Sequence, residues 1–468
     1  MNILYYKSYF SEKKNFQFHC LKCFFFNSKQ LFSDCGLPSL SHYSVQMGSC
    51  KQPVVSILQP DFVAKLQKKD CKPNFSIKTF DNEDVFHVRI VEGAASNNQV
   101  TFKLFENLPD DKDKADKIAA EMISSLDQSD TLQAAFLVGP KEEQVLAYVT
   151  ISSSEPLRRA IVLCQPSKSL LYSRSKGILE SKVLENCKVA VVGLGSGGSH
   201  VAIELAKAGV GNFVLVDFDR IELNNIIRHV CGLSDLGRLK TDAIRERILD
   251  KNPFANIVCR NTNINNIQEA REMFKGCDLI IAATDNIRSR LNINDLSLEL
   301  NITTIYGKCS ARAAGGEVLR VRPHDGPCFC CVYTQAMVEA STEEMTNFRQ
   351  AREANPIYVS DSEVEAMIQV GLSSDILPIS NMIVKIALVE LTKGKKSGLS
   401  GLEQDFQAAY YTWANRREQL YAGFPVDGFL RFDQPSILRW YSSQMERKAD
   451  CKSCQEIEDG NASFFSKQ

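Results

Sequence analysis

The chain has 468 residues, more than one ordinary domain holds, so two or three folded units are expected and a small single-module protein is excluded. Its 55 Lys plus Arg nearly balance 56 Asp plus Glu, and the formal charge of -1 supplies no general field for nucleic acid or an acidic membrane. The 44% apolar content can fill substantial cores, while 25 Gly and 15 Pro are too few for a collagen-like or linker-dominated chain.

Residues 1–170 read as an α+β accessory unit, with strand-like runs at 85–91, 100–104 and 145–151 and a helix over 114–126. The stretch 108–113, with Pro109 and several aspartates, reads as the turn before that helix. This unit either recognises a substrate or supports the neighbouring domain. The start of the chain lacks the basic, apolar and small-residue order of a secretion signal, and no run approaches about 18 continuous apolar residues, so a cytoplasmic location is expected. In a reducing compartment the 16 cysteines read as metal ligands or buried thiols rather than a disulfide scaffold. Cys20 and Cys23, with Cys35, Cys50, His19 or His42, form one irregularly spaced candidate metal site.

The signal sharpens at 187–192, a short buried-strand pattern that runs straight into Gly193, Gly195, Gly197 and Gly198. A helical pattern over 199–208 and a second strand at 212–217 complete a βαβ unit. Strands at 256–260 and 278–283, with crossover helices over 240–249 and 268–274, extend a parallel sheet, so the fold class is α/β, doubly wound and Rossmann-like. The polar stretch 338–360 reads as a loop or short surface helix, with 363–370 and the apolar segment 379–391 after it. Beyond residue 395, aromatic residues including Tyr410, Tyr411, Trp413 and Trp440 indicate a packed C-terminal extension.

The Gly193/Gly195/Gly198 spacing allows a tight turn and lets backbone N–H groups approach a phosphate at a helix start. Asp217, at the end of the second strand, suits a ribose hydroxyl, and by themselves these residues make NAD or FAD the default ligand. A longer series of polar residues changes that default: Asp217, Asp219, Asn224, Asn225, Arg228 and His229, then Asp235, Gly237 and Lys240, then Thr284, Asp285, Asn286 and Arg290. Together they resemble the ubiquitin-activating E1 superfamily, in particular its bacterial ThiF/MoeB-like adenylyltransferase branch, over roughly residues 170–395.

That resemblance implies an adenylation domain at 171–395, flanked by the accessory unit at 1–170 and the extension at 396–468. It places ATP rather than a dinucleotide over the glycine turn, with Asp217 and Asp219 near the nucleotide, and with Asn225, Arg228 and Lys240 on the phosphates. Asp285 then takes part in Mg²⁺-dependent adenylation. Tyr172, Ser173 and Arg174 resemble the segment from which an arginine crosses a homodimer to the partner's ATP.

Cys328 and Cys331 form one Cys-x-x-Cys pair and Cys451 and Cys454 a second, enough thiolates to close a structural Zn²⁺ site. The split spacing also resembles the zinc clamp of the same superfamily. The crossover-loop nucleophile of its thioester-forming members has no counterpart, because residues 332–450 contain no cysteine; Cys309 and Cys330 are the remaining unusual candidates.

The expected reaction is attack of a C-terminal carboxylate on the α-phosphorus of Mg-ATP, giving an acyl-adenylate and pyrophosphate. A ubiquitin-like or sulfur-carrier protein is the preferred substrate from resemblance, with a peptide substrate or a silent nucleotide-binding scaffold as alternatives. An E2-like protein is among the possible acceptors, with sulfur, another thiol and an amine. A tRNA-modifying dehydratase on the same general fold is disfavoured, since no broad basic stripe is present, and neither nucleic acid nor a membrane is an expected partner.

Overall fold

A computed structural model of the chain describes residues 52–458 apart from internal stretches, of which 334–370 and 425–435 are the longest. The irregular cysteine cluster of residues 20–50 and the segments 338–360 and 363–370 lie outside the described residues. Two compact units divide after residue 165.

The first unit is α+β. Its strands are β1 (Val54–Ile57), β2 (Asn74–Phe80), β3 (Glu83–Val91), β4 (Gln99–Leu104), β5 (Gln133–Val138), β6 (Val145–Thr150) and β7 (Arg158–Cys164). They form one sheet in the order β2-β3-β1-β7-β6-β5-β4 with mixed pairing. Phe62 in α1 (Phe62–Leu66) packs with Phe75 and Phe136 on one face. Helix α2 (Lys112–Ser124) covers part of the other face through Ala115 and Ala119. Asp111 caps α2 by accepting the Asp113 N–H at 3.1 Å, which starts the helix two residues before the expected position.

In the second unit the central strands are buried on both faces, their side chains alternating between two cores, which is why these segments read as continuous apolar runs. In β8 (Lys188–Val192), Val189 and Val191 join one core while Ala190 and Val192 join the other. Phe213 and Leu215 against Val214 and Val216 repeat this in β9 (Asn212–Val216). Helices α3 (Ser196–Ala208) and α4 (Lys240–Lys251) close the first core. Helices α5 (Ile267–Phe274) and α6 (Ile287–Glu299) close the second.

With β10 (Asn256–Arg260), β11 (Leu279–Ala282) and β12 (Thr304–Cys309), the parallel part runs β10-β9-β8-β11-β12. Strand order therefore reverses at β8, and the carboxyl end of β8 opens on the crevice where doubly wound folds bind ligands. The parallel strands expected from the sequence are present, and the remaining strands extend them. Strands β13 (Gly315–Val321), β14 (Tyr410–Ala414) and β15 (Arg439–Ser443) continue the same sheet antiparallel, so residues after 395 contribute two of its strands. After the short helix α7 (Phe329–Val332), the long helix α8 (Ser373–Thr392) packs Ile379, Ile383 and Ile386 into the first core. Glu390 of α8 pins it to β13 through Arg320 at 2.9 Å, and Arg322 adds a second contact at 2.7 Å. Helix α9 (Lys452–Glu458) ends the described chain.

Candidate nucleotide site and cysteine cluster

Gly193 leaves β8 with φ +87°, a left-handed turn, and a Cβ there would lie 2.7 Å from the Ala283 carbonyl oxygen. Gly198 is packed still closer, since a Cβ on it would overlap the Gly193 carbonyl oxygen. Gly195 is different. It caps α3 without a side-chain bond, and a Cβ on it would meet nothing within 4 Å. The space beside Gly195 is therefore open at the start of α3, where first-turn N–H groups suit an anionic ligand.

Asp217 faces this turn with both carboxylate oxygens engaged: Oδ2 accepts the Leu194 N–H at 2.7 Å and Oδ1 accepts the Asp219 N–H at 2.9 Å. The segment after β9 is then fastened to the segment before α4. Ile221 and Gly237 exchange backbone bonds with this strip, the Ile221 N–H donating to Arg238 and the Gly237 N–H to Ile221, both at 2.9 Å. The result brings Lys240 to Asp219, with Nζ 2.7 Å from Oδ2.

Beneath it, Asp235 is buried and accepts from Arg247 at 2.6 Å and Arg238 at 2.9 Å. Burial opposes its charge, yet the hydrogen bonds from Arg247 and the Gly232 N–H hold its carboxyl below the usual carboxylate range. Asn225 is half-buried, its Oδ1 accepting the Glu222 N–H at 3.1 Å, and its carbonyl receives the Arg228 and His229 N–H groups at 3.0 and 2.9 Å.

His229, which the sequence pattern contains without marking its purpose, is buried and reaches the glycine turn: Nε2 lies 2.7 Å from the Leu194 carbonyl oxygen. Its Nδ1 accepts the Cys231 N–H at 3.1 Å. Asp285 is exposed immediately before Asn286, whose side chain caps α6 by accepting the Ser289 N–H at 2.8 Å. Behind it the buried Arg290 donates to the Thr284 carbonyl at 3.0 and 2.6 Å and to the Gly307 carbonyl at 2.8 Å, tying the ends of β11 and β12 together.

Arg174 stands apart from this group. Its neighbour Tyr172 donates its hydroxyl to the Ala206 carbonyl at 3.1 Å, near the C-terminal end of α3. Ala206 is about 15 Å along the helix from Ser196. Arg174 itself is exposed.

Cys328, Cys331, Cys451 and Cys454 converge, with their sulfurs within 4.8 Å of one another. Three separations are 3.6–3.7 Å, close to the roughly 3.8 Å edge of a tetrahedron with Zn–S bonds of about 2.3 Å. All four are buried, and the Lys448 N–H points at the Cys331 sulfur at 3.5 Å, the outer support that a thiolate centre needs. The donor set fits a structural zinc ion with no open position. Cys330 is not one of the four but lies against Cys328, its sulfur receiving Asn294 Nδ2 at 3.8 Å and the Ser453 hydroxyl at 3.4 Å. Asn294 also accepts the Phe329 N–H at 2.9 Å, so the cluster is mounted on the same helix that begins beside Asp285.

The sequence profile of the ThiF family matches residues 171–415, more than half of the chain. The chain belongs to the ThiF family. It is 28% identical over 234 residues to the adenylyltransferase and sulfurtransferase MOCS3 of Caenorhabditis briggsae, covering 50% of this chain and 56% of that one. It is 29% identical over 209 residues to the ubiquitin-like modifier-activating enzyme 5 of Dictyostelium discoideum, covering 42% and 54%. The chain thus spans about half the length of the curated relatives it matches. Among solved structures, E. coli MccB with ATP superposes with a TM-score of 0.42 at 17% identity, covering 58% of this ThiF-family chain and 68% of that one. Among the described residues no helix is long and apolar enough to cross a membrane.

Proposed function

We propose that this ThiF-family protein adenylates the C-terminal carboxylate of a ubiquitin-like or sulfur-carrier protein with ATP. The observation that carries the reading is the convergence, at the carboxyl end of β8, of a glycine turn open at Gly195 with the Lys240–Asp219 pair and the Asn225–Arg228 turn. The names of the relatives, adenylyltransferase and ubiquitin-like modifier-activating enzyme, support the chemistry.

In this reading the N–H groups of α3 cradle the phosphates, and Lys240, Arg228 and Asn225 carry the negative charge that grows as the α-phosphorus is attacked. The substrate carboxylate oxygen forms the new P–O bond, the bond to pyrophosphate breaks, and acyl-AMP results. Mg²⁺ would be held by Asp285 and would neutralise phosphate charge. Asp217, already holding the turn, has acceptor capacity left for a ribose hydroxyl. A Zn²⁺ ion in the four-cysteine cluster would have a structural task, clamping α7 to α9.

A homodimer completes the site. Arg174 follows Tyr172, whose hydroxyl bonds near the far end of α3, and in this reading it serves the nucleotide of a second copy. Leu223 and Ile227, 70% and 82% exposed beside the Asn225–Arg228 turn, supply an apolar face for that copy. Adenylation rather than thioester transfer is the step proposed. Cys309 is accessible, but the protein packed round it pushes its thiol up to about 11, which keeps it protonated near neutral pH.

The test is ATP/pyrophosphate exchange with coexpressed small carrier proteins and peptides, read together with intact carrier mass. A mass gain of one AMP on a carrier is the expected result. No exchange across that panel would overturn the reading.

A further inference from the structure

We infer that His229 is a positioning residue of the nucleotide site, holding the peptide between Leu194 and Gly195 so that the Gly195 N–H points at the bound phosphate; this rests on the adenylation reading. The Leu194 residue is gripped from two sides, its N–H by Asp217 at 2.7 Å and its carbonyl by His229 Nε2 at 2.7 Å. A trans peptide is planar, with its C=O and the following N–H pointing in opposite directions. Drawing the Leu194 oxygen onto the imidazole therefore turns the Gly195 N–H away from His229, and the space beside Gly195 is open, since a Cβ there would meet nothing within 4 Å. Without the imidazole that peptide is free to flip, presenting a carbonyl oxygen to an anion.

The histidine can do this only in one protonation state. Nδ1 accepts the Cys231 N–H at 3.1 Å, so the ring is neutral with its proton on Nε2, which donates to Leu194. Protonating Nδ1 sets two N–H groups against each other and releases the ring. The groups around it are Lys240 from α4, His200 from α3 and Asp217 at the end of β9. Burial first, then the Lys240 and His200 charges, keep its pKa below the usual histidine value, against the opposing effects of the Leu194 bond and Asp217. The neutral form, and the turn it holds, thus persist to a pH below the ordinary histidine range and are lost in acid.

Glutamine offers the same pair of functions, an amide N–H donor and a carbonyl acceptor, without titrating. The experiment measures ATP dissociation constants of the full chain by calorimetry, alongside thermal unfolding, for wild type, His229→Ala and His229→Gln between pH 5 and pH 8. Expected are an affinity at least about tenfold weaker in His229→Ala at pH 7.5, near-complete recovery in His229→Gln, and a steeper acid loss in wild type than in His229→Gln. Wild-type affinity in a folded His229→Ala, or wild-type and His229→Gln affinities falling in parallel with acid, would overturn the role. Should the alanine variant not fold, the comparison of pH profiles carries the test. Absence of ATP binding in the unaltered chain would overturn the adenylation reading itself, whereas binding unaffected by the alanine substitution overturns only the positioning role.

Discussion

The Lys240 ammonium lies 2.7 Å from the Asp219 carboxylate, and the backbones repeat the pairing, the Lys240 N–H donating to the Asp219 carbonyl at 3.0 Å. A nearly buried cation is thus stored beside the glycine turn on a carboxylate that is itself half exposed to solvent. Arriving phosphates compete with Asp219 for that cation. Lys240→Ala is expected to lower ATP/pyrophosphate exchange by about 10²-fold or more, the range found for removing one preorganised charge-stabilising donor. Asp219→Asn should cost much less, because it frees Lys240 rather than removing it. Steady-state exchange rates of the two variants check the order; an Asp219→Asn loss equal to that of Lys240→Ala would contradict it.

Two glycines of the turn predict opposite phenotypes. Gly198→Ala places a methyl group on the Gly193 carbonyl and should lower stability by about 1–3 kcal/mol. Gly195→Ala adds a methyl group in open space at φ -70°, so thermal unfolding should stay near wild type while ATP binding is lost. Calorimetry and thermal unfolding on the same samples separate the two.

Arg174 is tested by complementation. Arg174→Ala and Lys240→Ala chains, each inactive alone, should regain activity when mixed and allowed to exchange subunits, because a heterodimer contains one site with both residues intact. Random pairing predicts about a quarter of wild-type exchange activity. If the mixture stays as inactive as its components, Arg174 does not act across copies.

The cysteine cluster predicts one zinc per chain by elemental analysis. Cys454→Ala should abolish stoichiometric metal and destabilise the α7–α9 region by several kcal/mol. Cys330→Ala should retain full metal, since its sulfur bonds Asn294 and Ser453 outside the tetrad.

Asp235 links stability to pH. Its folded carboxyl is held below the unfolded value, so its contribution is present above the unfolded pKa and is lost as pH falls through the folded one. Asp235→Asn should cost about 2 kcal/mol at pH 7, less than a fully buried pair because both arginines reach solvent. The gap to wild type should close in acid, below about pH 4. Unfolding curves at pH 7 and pH 3 measure it, and a gap that widens toward acid would refute the assignment.

Much of the nucleotide half was legible along the chain. The β8–α3–β9 unit rests on short-range patterns: a continuous apolar run in 189–192, glycines at fixed offsets, and an acidic residue closing the next strand. Helix α6 was not legible. Ser289, Asn292, Asn294 and Ser297 are buried in it alongside Ile293, Leu296 and Leu298, so polar residues interrupt its apolar stripe; Asn292 and Asn294 are satisfied by the Ile264 carbonyl and the Phe329 N–H.

What the amino-acid order determined by itself was local: element periods, the glycine turn, and the two Cys-x-x-Cys pairs. What only the tertiary structure decided was pairing between distant segments. Strand β14 joins β13 across roughly ninety residues, and His229 finds the Leu194 carbonyl. Such partners are chosen by packing and by the need to satisfy buried donors and acceptors, and neither leaves a periodic trace in the sequence.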